Sequence, residues 1–206
     1  MDYYFFLPLF MIAFPIFGAL LIATVSENND RLRNLLAVAV SLISGLAMIV
    51  ILYHFYYNGS WTIMLHQIAP GLEIKFRIDP LAVLFGGTAA ILWFFSVLYS
   101  TGYMAHEHKR RRYFIFYLLS LGMTMGIALS ANLLTLYLFY EFLTILTYPL
   151  VIHEGNEEAK KAGIKYIIYS FAGAALILIG LIVIYGNTGT LEFMPGGIVD
   201  LSSGSL

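Results

Sequence analysis

Cysteine is absent from all 206 residues, which excludes disulfides, thiolate catalysis and cysteine-ligated metal or iron–sulfur centres within the chain. Charge is scarce as well. Only 11% of residues are charged, against about 25% in an ordinary soluble domain. The formal net charge of −1 offers no basic field to attract nucleic acid. Glycine-rich phosphate loops and nucleophile elbows do not occur. The five histidines, His54, His66, His106, His108 and His153, lack a convergent metal-ligand spacing. A self-contained enzyme of the soluble type is thereby disfavoured, and no metal or redox cofactor is expected in this chain.

What fills the sequence instead is apolar: 60% of residues are hydrophobic and the mean hydropathy is +0.83. A membrane-spanning helix needs about 20 mostly apolar residues. Such runs occur at Tyr4 to Val25, Leu35 to Tyr57, Pro80 to Met104, Tyr113 to Ser130, Leu133 to Ile152 and Gly163 to Tyr185. The expectation is an all-α polytopic membrane protein of about six transmembrane helices, forming a single membrane domain over residues 1–206. Tyr4 to Val25 lacks a basic flank and is too long for the core of a cleavable signal, so it reads as a mature helix. Ser26 to Asp30 stop the first helix, and Asn34 can begin the second. Asn132 is a suitable N-cap between the fourth and fifth helices, which are close enough in sequence to form a tight antiparallel pair.

One segment breaks the helical pattern. Leu72 to Asp79 alternates apolar and polar residues with the period of a half-buried strand. Trp61 to Gln67 is a plausible partner, and Ala69-Pro70-Gly71 supplies the turn. A short β-hairpin spanning 61–78 on the membrane surface, between helices two and three, is predicted. Asp79 caps the third helix and Pro80 suits its first turn.

The basic residues give an orientation. Arg31, Arg33, Lys109, Arg110, Arg111, Arg112, Lys160, Lys161 and Lys165 fall at one end, whereas the other end has only Lys75 and Arg77. The first end is expected to be cytoplasmic, leaving the hairpin and both termini extracytoplasmic in a multi-pass protein of the cell membrane. The basic turn near Lys109 has a further possible use as a contact for anionic lipid or a partner. Residues 186–206 read as an extracytoplasmic tail with no element following.

Glu141 stands out by depth. It lies nine residues after Asn132, about 14 Å along a helix and near the middle of a roughly 30 Å hydrocarbon layer. Charge there costs about 2.5–3.5 kcal/mol, so such residues face a bundle interior or wet cavity and commonly mark ion paths. The alternative is a neutral glutamate hydrogen-bonded for packing. Tyr137, Thr144 and Tyr148 lie within about 60° of its direction on the helix. They could hold water, or they could serve packing and backbone hydrogen bonds. Pro149 frees the carbonyl of Ile145 and loosens the helix near the site. Lys165, just inside helix six, either snorkels to the interface or serves as an ion-collecting group. A depth difference on the order of 12 Å argues against direct pairing with Glu141.

The stretch NLLTLYLFYEFLTILTYPLVIHEG, Asn132 to Gly155, resembles a helix of the antiporter-like subunits shared by Mrp-type sodium/proton antiporters, respiratory complex I and membrane-bound hydrogenases. FRIDPLAVLF, YSTGYM, RRYFIFYLLSLGMTMGIALS and EEAKKAGIKYIIYSFAGAALILIGL extend the resemblance along nearly the whole chain. It implies that Glu141 belongs to a charged axis and works with a lysine on a seventh helix; Lys165 is a looser match to a lysine opening the sixth. Family members usually have about fourteen helices in two inverted repeats, and these residues correspond to the first six. The resemblance implies other membrane subunits as partners, one expected to supply the missing helices and the lysine. The leading expectation is a subunit of a multisubunit complex contributing part of a proton or sodium path around Glu141. The alternative is a structural or assembly subunit without transport of its own. An independent small transporter is disfavoured, because only one ionisable group is deeply placed.

Overall fold

The computed structural model describes residues 6–194 and 196–198. The element order is α1 (Leu7–Thr24), α2 (Asp30–Asn58), β1 (Trp61–Ala69), β2 (Leu72–Ile78), α3 (Pro80–Tyr103), α4 (Arg110–Ala128), α5 (Leu133–Val151) and α6 (Glu157–Thr188). Short residues of the polar turns set where helices start. Asn29 accepts from the Leu32 N–H at 3.2 Å, Asp79 from Ala82 at 2.8 Å, Asn132 from Thr135 at 2.8 Å and Asn156 from Ala159 at 2.7 Å. Each satisfies one of the orphan amides of a first turn.

Three helix starts differ from the hydropathy reading. Helix α2 begins at Asp30 behind the Asn29 cap, not at Leu35 behind Asn34, α4 begins at Arg110 rather than Tyr113, and α6 begins at Glu157 rather than Gly163. Hydropathy marks where a helix can meet hydrocarbon, whereas caps and packing decide where it begins. Residues 1–5 lie outside the described part, so the predicted start at Tyr4 does too.

Five helices, α1, α2, α3, α5 and α6, are long and apolar enough to cross a membrane. Helix α4 opens with Arg110, Arg111 and Arg112 and is enclosed by protein: it packs against α1, α5 and α3 and buries Phe114, Leu118, Leu121 and Met125. The outer helices turn large apolar side chains outward, including Leu46, Ile49, Phe85, Leu92, Leu176 and Ile182. Helices suit hydrocarbon surroundings because their backbone polar groups are paired internally.

A two-stranded hairpin joins α2 to α3, with β1 and β2 antiparallel from Trp61↔Ile78 to Ala69↔Leu72 and irregularities after Met64 and Gln67. The turn narrows to Pro70–Gly71, where Gly71 takes φ 76° and a Cβ would collide with the backbone oxygen of Gly189. Strand β2 continues its pairing outside the hairpin. Arg77 N–H donates to Leu129 O at 2.8 Å and Ala131 N–H to Lys75 O at 2.9 Å, both in the α4–α5 connection. That connection in turn pairs with residues following α6: Leu133 N–H donates to Leu191 O at 2.9 Å, and Asn132 bridges Glu192. Tyr185 OH ties α6 to the hairpin tip by donating to Pro70 O at 2.7 Å. The predicted tail is therefore helical to Thr188 and held to the hairpin at 191–193, while 199–206 fall outside the described residues.

At the opposite end, Ser26 to Asn29 of the α1–α2 loop are exposed, whereas the first turn of α2 carries a buried charge. Arg33 is only 1% exposed, pairs with Asp30 at 2.8 Å and lies 5.7 Å from the Phe114 ring centre. Arg110 also pairs with Asp30, and Arg111 pairs with Glu27 at 3.2 Å. The first turn of α4 is thus fastened to Glu27 in the α1–α2 loop and to Asp30 at the start of α2.

Candidate functional site

Helix α5 is one unbroken helix from Leu133 to Val151 with Pro149 inside it. Glu141 lies eight residues from its start, about 12 Å along the axis. The side chain is half-buried. Its Oε1 is the only buried carboxylate oxygen without a hydrogen-bond partner among the described residues. Leaving a buried polar atom unpaired costs about 1–3 kcal/mol, and more when charged.

The polar face read from the sequence contains two kinds of hydroxyl. Thr144 is 5% exposed and donates back to Tyr140 O at 3.1 Å, as helical threonines often do. Tyr148 packs against α6 where Gly163 has no side chain: a Cβ there would meet the Tyr148 ring at 3.0 Å and collide with Ile152. That close approach brings together a pair the sequence reading did not include. Thr147 Oγ1 and Tyr166 OH are 2.7 Å apart, joining α5 to α6. Thr147 also lies 2.9 Å from Leu143 O and 3.1 Å from Thr144 O, with Tyr166 OH 3.4 Å from the same Thr144 carbonyl.

Lys165 is exposed on α6 and makes no ion pair with any described residue. Its neighbour Tyr166 meets Thr147, which sets Lys165 near the level of Tyr148. Seven residues separate that level from Glu141, about 10 Å along the helix. The two are not brought into contact.

Below this region, at the basic end, a cavity of about 540 Å³ is lined by Tyr103, Glu107, His153, Glu154, Glu158 and Ala162, among others. His153 Nε2 lies 3.1 Å from the carbonyl oxygen of His108; since a carbonyl only accepts, this nitrogen holds the proton. Its Nδ1 is buried without a partner. Burial first, then the nearby Arg112 charge, holds the imidazole pKa below its ordinary value. A second hydroxyl ladder runs between α3 and α4, with Ser96 bonded to Tyr117, and Ser100 to Tyr113 at 2.9 Å.

At the hairpin end, Lys75 reaches Glu73 at 2.5 Å and Glu192 at 2.7 Å, and Arg77 reaches Glu192 at 3.2 Å. Desolvation works against the Lys75 charge, but its bonds to Glu192 and Glu73 prevail and raise its pKa above the usual lysine value. Sequence reading did not find this cluster, because Glu192 lies far along the chain from both cations.

Comparison with known proteins agrees with this architecture. Residues 130–196 match the membrane-domain family described as NADH:quinone oxidoreductase/Mrp antiporter. Residues 68–114 match the N-terminus of NADH-ubiquinone oxidoreductase (complex I) chain 5. A Na(+)/H(+) antiporter subunit of Bacillus subtilis (strain 168) is 26% identical over 181 residues, covering 88% of this chain and 36% of that protein. A chain in the structure of the membrane-bound sulfane sulfur reductase, an archaeal respiratory membrane complex, superposes with a TM-score of 0.78 at 25% identity, over 90% of this chain and 38% of that one. This chain thus spans little more than a third of the length of these relatives. Apolar helices, hairpin and matches along most of the sequence place it among multi-pass membrane proteins, and it belongs to the antiporter-like subunit family of Mrp and complex I type.

Proposed function

We propose that this chain contributes part of a proton or sodium path in a multisubunit complex of the cell membrane, with Glu141 as the group whose charge state changes during translocation. The observation that carries this reading is the buried, unpartnered Glu141 Oε1 midway along an apolar helix. A permanently ionised carboxylate in that position is costly, whereas one that gains and loses a proton, or meets a cation, has a use for its missing partner. The antiporter named among the relatives supports the same assignment.

Lys165 and Pro149 have secondary parts. Lys165 is a collecting or tuning cation on the basic side of Glu141, and Pro149 loosens α5 by freeing the Ile145 carbonyl. The basic end faces the cytoplasm and the hairpin faces outward, in line with the bias of arginine and lysine. All six helices span the bilayer, α4 doing so within a protein sheath. A partner membrane subunit supplies the lysine that works with Glu141, and the chain's partners are such subunits rather than nucleic acid.

Replacing Glu141 with Gln in the assembled complex is the test, read as cation-dependent pH changes in sealed membrane vesicles. The expected result is loss of transport at undiminished complex abundance. Unchanged transport would instead assign the chain a scaffolding role.

A further inference from the structure

We infer that the α5–α6 interface holds a proton inlet for Glu141: the polar cavity at the basic end, continued inward by the Thr147–Tyr166 hydroxyl pair. This inference rests on the reading of Glu141 as the translocating group. The cavity of about 540 Å³ has room for on the order of ten or more waters, and its rim includes Glu107, His153, Glu154 and Glu158. Its inner lining stops one helical turn short of the hydroxyls. Leu150 and Val151 line the cavity and stand three and four residues after Thr147, while Ala162 lines it four residues before Tyr166. Positions three and four apart share a helix face, so the pair lies one turn farther in on both helices.

The hydrogen bonds orient the first half of a relay, from Tyr166 to Thr147. Thr147 has one hydroxyl proton, and the carbonyls of Leu143 and Thr144, at 2.9 and 3.1 Å, can only accept it. Its lone pairs are then available to the Tyr166 hydroxyl, 2.7 Å away. A proton arriving at the Tyr166 oxygen releases the phenol's own proton to Thr147. Thr147 swings its original proton off the carbonyls and gives it to the next water inward, and rotation of both hydroxyls resets the pair. Each oxygen finishes with one hydrogen, and one proton has moved inward. A sodium ion would have to break these bonds, whereas a proton uses them.

From Thr147 to Glu141 is six residues, about 9 Å along α5 and about 120° around it, a gap that a chain of about four waters bridges. Proline at 149 leaves the Ile145 carbonyl within this stretch without its helical donor. That carbonyl gives such waters an acceptor beside an otherwise apolar path.

The test compares Tyr166→Phe, Thr147→Val, Thr147→Ser and Glu141→Gln in the assembled complex, with abundance checked on native gels. Tyr166→Phe and Thr147→Val are expected to slow proton transport about tenfold, corresponding to about 1.4 kcal/mol in the barrier. The solvent deuterium isotope effect should rise in both. Thr147→Ser keeps the hydroxyl and should retain the parental rate. Parental rates in Tyr166→Phe and Thr147→Val, with transport abolished in Glu141→Gln, would overturn the inlet alone. A fully active Glu141→Gln complex would overturn the reading of Glu141 itself. A second measurement covers loss of assembly. Because the chain has no cysteine, Ala162→Cys and Thr147→Cys can be probed singly with a small membrane-impermeant thiol reagent. Both should react from the basic side, and Leu176→Cys on the outer face of α6 should not. Failure of Thr147→Cys to react while Ala162→Cys does would overturn the inlet.

Discussion

Protonation of His153 has a definite cost. Its Nε2–H is committed to the His108 carbonyl, and a proton added at Nδ1 finds no acceptor in its buried position. Burial and the adjacent Arg112 hold the pKa below the ordinary histidine value, so the unfolded chain binds this proton more tightly than the folded one. Stability from the neutral ring is therefore complete above about pH 6.5 and declines as pH falls below it. Thermal denaturation of the purified complex between pH 7.5 and 5 should show a falling midpoint, with a shallower slope in His153→Gln. An equal slope in the variant would assign the acid sensitivity to other groups. From sequence, His153 was one loop histidine among five, because its distinguishing features are the stack on His108, 5.4 Å between ring centres, and the Arg112 contact. Glu141 was legible because depth along a helix can be counted in residues. Tyr166 was not, since its partner Thr147 is identified only once α5 and α6 are aligned side by side.

Helices and hairpin differ in how far their ends are determined locally. Asp79 and Asn132 are both N-caps, yet their surroundings are unequal. Asp79 serves mainly the first turn of α3, so Asp79→Ala should cost about 1 kcal/mol. Asn132 is 2% exposed and also donates from Nδ2 to Glu73 O at 2.8 Å. Removing it loses the cap and the shorter of two bonds to the Glu73 carbonyl, which keeps Thr135 Oγ1 at 3.4 Å, a combined loss of about 2–3 kcal/mol. Denaturant titration of the two variants should rank them in that order, and equal losses would mean that the hairpin contact adds nothing. The caps and the alternating strand were readable because each depends on residues within one or two turns. The ladder from β2 through 129–133 to 191–193 was not, because it joins segments more than fifty residues apart. The early starts of α2 and α6 were hidden for a related reason, since charged first turns continue the helix beyond the hydrocarbon that the apolar pattern records.

For the molecule as a whole, composition alone specified a membrane protein, and the family resemblance specified which kind. The arrangement of the helices around α4 lay beyond both. A helix opening with three arginines is central because α1, α3 and α5 shield it from lipid and Glu27 of the α1–α2 loop and Asp30 of α2 supply carboxylates to its first turn. Orientation can be measured directly. Single cysteines at Asn156 and Ser60, in cells carrying the complex, should react with an impermeant reagent from opposite sides, Ser60 from outside. Labelling of Asn156 from outside would invert the topology.

The stitching of β2, the α4–α5 connection and residues 191–193, together with the Tyr185–Pro70 bond, has a mechanical consequence. It fixes the start of α5 and the end of α6 to one plate by backbone pairing. The turn at 152–156 is held by side chains instead: His153 bonds the His108 carbonyl, and its own carbonyl accepts from Arg112. A load on the pair is thus carried by a backbone ladder at the hairpin end and by individual side-chain contacts at the basic end, so the basic end is the more compliant of the two.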